Sequence, residues 1–114
     1  MPPDQASLLH GTLDLLILKA VSLGERHGYG VLLRLEQMTG GKLAIEQGAL
    51  YPALYRLVRR GLLEAEWGNS ENNRRAKFYR LTASGRARLR AETSDWNRIV
   101  GIMAAALDSR PGTV

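Results

Sequence analysis

The chain has 114 residues, no cysteine, 45% apolar residues and a formal net charge of +5. That length suits one domain with a modest core. Missing cysteines exclude disulfides, Cys-ligated zinc and a thiol nucleophile, and ordinary hydrophobic content with 24% charged residues excludes a disordered chain.

The charge is unevenly spread. Residues 55–90 hold ten Arg or Lys against three Glu, while the remainder is slightly acidic. Basic charge is therefore concentrated on one stretch, as a surface for an anionic partner would need. Residues 1–10 lack the basic run and apolar core of a secretory signal. The apolar stretch 13–23 is interrupted by Asp14, Lys19 and Ser22, and is too short and polar to span a bilayer. The sequence reads as a soluble cytoplasmic protein with no membrane partner.

Residues 1–9 form a lead-in with two prolines and no periodicity. From Thr12, Leu13, Leu16, Ile17, Ala20 and Val21 recur at helical spacing, and Leu15 and Leu18 add a second stripe. A helix apolar on two sides needs two covers; a second subunit is the candidate for one, with Leu15 and Leu18 facing it. Gly24 is a stop signal. The next helix is expected from about His27 to Met38, with Leu32, Leu35 and Met38 as its buried edge and Gly28 and Gly30 marking close packing. Gly40-Gly41 ends it, and residues 43–46 are a candidate short strand.

A third helix is expected over residues 47–60. Leu50, Leu54, Leu57 and Val58 form its core stripe, and Gly48, Pro52, Tyr55, Arg56 and Arg59 project the other way, with Tyr51 on the flank. Pro52 removes one helical hydrogen bond near the start. Strands are expected over 62–67 and 77–81, joined by a polar, turn-rich loop that is long for a tight hairpin. The last helix runs from about residue 82 to 107. Leu89, Thr93, Trp96, Val100, Met103 and Leu107 alternate spacings of four and three, a heptad-like seam.

Three helices, a hairpin and a long helix give a mostly α, α+β fold: a winged helix-turn-helix with a C-terminal dimerisation helix. The division is 1–9 lead-in, 10–82 DNA-binding domain, 83–109 dimerisation helix and 110–114 tail. In such a fold the third helix offers its outer face to the DNA major groove, and the hairpin loop reaches the neighbouring backbone or minor groove. Gln47, Tyr55, Arg56 and Arg59 are candidates for base edges or phosphates. Gly48, Ala49 and Pro52 keep the helix front low, and Tyr29 and Tyr51 offer hydroxyls to phosphates. Asn73, Arg74, Arg75 and Lys77 are the wing candidates.

The run His27-Gly28-Tyr29-Gly30 resembles the second-helix signature of the PadR family of bacterial transcription regulators. Residues 48–57, Gly-Ala-Leu-Tyr-Pro-Ala-Leu-Tyr-Arg-Leu, followed by Gly61-Leu62-Leu63, are similar to that family's recognition-helix motif, and residues 74–82 with Gly85 to its wing and exit. The resemblance covers roughly residues 9–107. It implies a homodimer, usually a repressor, held by a single C-terminal helix as in the family's short branch. Some short members bind flat aromatic compounds between these helices, and Trp96 stands where such an effector would lie. Trp96 reads first as interface core with Leu89, Val100, Met103 and Leu107, and second as a ligand platform. Trp67 reads as packing.

His10 and His27 are too isolated for a metal site, and no nucleophile motif, phosphate loop or dinucleotide fingerprint implies an enzyme or a cofactor. The competing function is a winged protein-interaction module that reads no DNA; the basic third helix and wing argue against it.

Overall fold

The computed structural model describes residues 12–43 and 45–112. The expected lead-in, His10 and one residue of the candidate strand at 43–46 lie outside them. Helix α1 (Leu13–Ser22) leads to a short strand β1 (Arg26–His27), then α2 (Gly28–Met38), α3 (Gln47–Arg59), the hairpin β2 (Leu63–Asn69) and β3 (Arg75–Leu81), and the long α4 (Ala83–Leu107). The three strands form an antiparallel sheet in the order β1-β3-β2. This is the winged helix-turn-helix expected, with its long C-terminal helix.

The core is apolar. Ile17, Leu18, Val31, Leu35, Leu50, Leu54, Leu57 and Leu63 are fully buried, and no polar residue is buried among those described. Leu50, Ala53, Leu54 and Leu57 form the packed stripe of α3, at the spacing of one helical face. Arg34 closes the other end of the cluster by donating to the carbonyls of Ala20 and Gly24, both at 2.7 Å, where α1 ends. Burial first, and then the charge of Arg26, hold its guanidinium below the ordinary value.

Several expectations change. Leu18 is 1% exposed, so it belongs to the protomer's own core and cannot face a partner; Leu15 is half-buried and remains at the surface. Both apolar stripes of α1 thus point inward in part, because α2, α3 and α4 surround it. Met38, at the last turn of α2, is exposed rather than a buried edge. The described residues of 43–46 form no strand, although Ile45 is buried and anchors the connection. The strand missing from the expectation is β1, which pairs Arg26 with Tyr79 and His27 with Phe78; two residues carry no periodicity.

The hairpin is longer and its turn shorter than expected. Pairing runs from Leu63↔Leu81 to Asn69↔Arg75. Asn73 donates its N–H to the Ser70 carbonyl at 2.8 Å, Ser70 donates back to Arg74, and Asn73 takes a left-handed φ of 55°. A type I turn closed by a left-handed residue is a common short hairpin loop, and asparagine tolerates it.

The exit into α4 is fixed by Thr82. Its hydroxyl accepts from the Gly85 N–H at 2.9 Å, capping the helix, and donates to the Gly61 carbonyl at 2.6 Å. A β-carbon on Gly85 would overlap the Leu62 carbonyl. Only glycine lets α4 leave the sheet so close to the end of α3.

Candidate nucleic-acid interface

Helix α3 buries one stripe, Leu50, Ala53, Leu54 and Leu57, and leaves a broad front exposed. Gln47, Gly48, Ala49, Tyr51, Pro52, Tyr55, Arg56 and Arg59 are all exposed, Tyr55 at 64%. The small residues lie in the first two turns, so the helix backbone stands near the surface there. Arg59 sits over the Tyr55 ring at 5.8 Å, a cation–aromatic contact that orients the guanidinium along the front.

Arg56 behaves differently. It lies on the flank toward α1, where its guanidinium donates to Asp14 at 2.7 Å, and Arg60 approaches the other oxygen of the same carboxylate at 3.6 Å. Tyr51, on the opposite flank, covers Gly28: a β-carbon there would press into the tyrosine ring. His27 caps α2 by accepting from the Gly30 N–H at 3.0 Å. Tyr29, beside it, is half exposed.

The two faces of the wing differ in charge. Strand alternation puts Leu63, Ala65, Trp67 and Asn69 on one face with Leu81, Tyr79, Lys77 and Arg75, their register partners. At the base this face is core. Tyr79 is buried there, and burial, then the neighbouring Tyr51 phenol, raises its pKa. Beyond Tyr79 the same face emerges into solvent and becomes aromatic and basic. Trp67 is 55% exposed, with the Arg75 guanidinium 4.9 Å and the Lys77 ammonium 5.4 Å from its ring. The opposite face carries Glu25, Glu64 and Glu66 around Arg80, which bonds Glu64 and Glu66 at 3.0 Å each and pairs with Glu25 at 3.5 Å. Hydrogen bonds that Arg80 donates to Glu66 and then Glu64 raise its pKa. Phe78 lies on that face against Gly68, edge-on to His27.

Helix α4 leaves most of its length unpacked. Gly85 is its only buried residue, and Trp96, Ile99, Val100, Ile102, Met103 and Leu107 are exposed, the last at 79%. Between α1 and α4 lies an apolar cleft of about 890 Å³ with Leu15, Leu16, Leu89 and Trp96 in its walls.

The transcriptional regulator PadR-like family matches residues 17–91, two thirds of the chain. The chain belongs to the PadR-like family of transcriptional regulators. A PadR-family transcriptional regulator from Eggerthella lenta DSM 2243 superposes at a TM-score of 0.77 with 29% identity, over 91% of this chain and 88% of that one. A PadR-like transcriptional regulator from Bacillus cereus strain ATCC 14579 superposes at 0.79 with 24% identity, over 91% and 99%, a likeness of fold. A Lysinibacillus sphaericus protein, known only as uncharacterized protein X, is 26% identical over 99 residues, 87% of this chain and 91% of its own length.

In this PadR-family chain the DNA-contact candidates singled out from sequence fall into two groups. Tyr51, from the front of α3, meets the start of α2 beside Tyr29, whereas Asn73, Arg74, Arg75 and Lys77 lie along the wing, all four exposed. Two residues escaped sequence reasoning. Asp14 lies 42 positions from Arg56, and no local pattern links them. Trp67 is a surface residue, not the packing residue its strand suggested; its pairing opposite Lys77 in the alternation was the available signal. Ile99 and Ile102 also widen the apolar arc of α4 beyond the seam. Among the described residues no helix is long and apolar enough to cross a membrane, and no three His, Asp or Glu cluster as metal ligands would.

Proposed function

We propose that this PadR-family chain is a cytoplasmic homodimer that binds double-stranded DNA sequence-specifically and represses transcription from a palindromic operator. One observation carries the reading: α3 presents a low, polar, unpacked front beside a wing whose emergent face is basic and aromatic. The major groove admits a helix, and Gln47, Tyr55 and Arg59 are the side chains to meet base edges, with Gly48, Ala49 and Pro52 allowing close approach. Tyr29, Tyr51 and Arg56 serve phosphates at the flanks, and Asn73, Arg74, Arg75 and Lys77 serve the adjacent backbone. Residues 10–82 act as the DNA-binding unit and 83–109 as the dimerisation helix.

A second copy is the occupant we assign to the α4 face. Trp96, Val100, Met103 and Leu107, joined by Leu15 and Leu89, form an exposed apolar surface that a monomer leaves in water. An isologous pairing brings two α3 helices into register with a two-fold symmetric site. Selection from a random duplex pool, followed by gel-shift titration at several salt concentrations, tests the reading. A palindromic consensus with affinity falling steeply in salt is expected; no enrichment, with one protein partner retained after nuclease treatment, would favour an interaction module instead.

The cleft favours one addition. Its volume falls within the range of small-molecule sites, and an indole in an apolar wall stacks on planar aromatics. A planar aromatic effector binding beside Trp96 should quench its fluorescence and change DNA affinity together. A panel of such compounds with neither effect would remove this part.

A further inference from the structure

Beside its cations, the wing carries one strongly exposed large apolar side chain, Trp67. An indole more than half in water leaves apolar area hydrated that a core position would bury. Here it lies outside the core, and two cations sit over its ring. Trp67 pairs directly with Lys77, and Arg75 lies on the diagonal, so both ammonium and guanidinium sit over its π system. The hairpin beneath is stiff: the turn is closed by paired hydrogen bonds at Ser70 and Arg74, and Phe78 packs on Gly68 from behind. Glu64 and Glu66 lie on the other face around Arg80, so the Trp67 face is the strand face a polyanion can approach.

We propose that Trp67 is itself a nucleic-acid contact, resting on the DNA-binding reading above. Its indole packs against deoxyribose and base edges in the minor groove beside the segment occupied by α3, while Arg75 and Lys77, already ordered on its ring, take the flanking phosphates. Ordering the two long side chains before binding removes part of the entropy cost of capturing phosphate. An aromatic against sugar and base contributes without counterion release, so its effect differs in kind from that of the cations.

The chain has only two tryptophans, which makes the test direct. Protein labelled with 5-fluorotryptophan gives two fluorine resonances, and the one lost in Trp67→Phe is assigned to Trp67. Adding the selected duplex should shift and broaden that resonance. Trp67→Ala should weaken binding about ten-fold, displacing the plot of log affinity against log salt without changing its slope, and should leave the melting temperature near that of the parent. Trp67→Phe should recover part of the loss, whereas Arg75→Ala should reduce the slope. Duplex bound with the Trp67 resonance unmoved and Trp67→Ala at parental affinity overturns the inference and leaves the DNA-binding reading intact. A protein that binds no duplex overturns both.

Discussion

Asp14 in α1 accepts a 2.7 Å hydrogen bond from Arg56 in α3, so a carboxylate already occupies one edge of that guanidinium. Asp14 is three-quarters shielded by the fold while Arg56 is half exposed. The pair neutralises one flank of α3 in the free protein, and on the proposed reading DNA would compete with Asp14 for Arg56. Exchanging one oxyanion for another costs the protein the pair before it gains the phosphate.

Asp14→Asn should release Arg56 and raise DNA affinity. A partly exposed pair is worth about 1 kcal/mol or less, so the gain should be up to about five-fold per protomer. Arg56→Ala should lower affinity, and adding Asp14→Asn to it should bring a smaller gain than in the parent, since only the looser Arg60 pair is then released. Fluorescence anisotropy on the four proteins of this double-mutant cycle reads the coupling directly. Independent, additive effects would show that Asp14 does not compete for Arg56.

Arg74 lies at the turn of the wing, with its side chain exposed. Arg74→Ala should weaken binding nearly equally on specific and non-specific duplexes, and reduce the salt slope by about 1 per protomer. Arg59→Ala, on the front of α3, should instead narrow the gap between the two duplexes. Salt titrations with both sequences separate the outcomes.

The apolar face of α4 should fail as an interface when charged. Val100→Asp with Met103→Asp should convert the dimer to a monomer in sedimentation at micromolar concentration, with operator affinity falling sharply because each half-site must then bind alone. The circular dichroism of residues outside α4 should persist, since neither side chain joins the core.

Gly85→Ala forces a β-carbon into the Leu62 carbonyl. Overpacking against backbone costs about 3 kcal/mol, and the melting temperature should fall accordingly. Thr82→Ala loses the cap on the Gly85 N–H and the bond to Gly61, and should cost about 1–2 kcal/mol. Thermal unfolding ranks the two; equal, negligible losses would contradict the tight exit from the wing.

Tyr79 is held neutral, first by burial and then by the Tyr51 phenol. Its folded pKa is raised, so the folded state keeps a proton that the unfolded chain releases. The associated stability is present below the ordinary tyrosine value of about 10 and is lost as pH rises through and above it. Tyrosinate absorbance against pH should show one phenol titrating late and with unfolding; Tyr79→Phe should remove that component.

Much of this was legible in the sequence because burial leaves a period. Leu50, Leu54 and Leu57 recur on one face of α3, which fixes the front by subtraction, and Leu89 to Leu107 keeps a heptad spacing that solvent alone would not require. Less was legible where tertiary contacts decide. Leu15 and Leu18 are equivalent by period, yet α2, α3 and α4 enclose only Leu18. Gly68 and Asn69 are turn formers by propensity, but pairing with Ala76 and Arg75 extends the strands through them. The partnership of Asp14 with Arg56 spans 42 positions and leaves no local mark.

On the proposed reading, two α3 helices and two wings of a dimer read one DNA site. Hydroxyl-radical footprinting of the selected duplex tests it most directly. Two protected segments related by a two-fold axis, about one helical turn apart, with weaker protection beyond each where the wings lie, are expected. A single protected segment, or uniform protection that follows salt but not sequence, would contradict it.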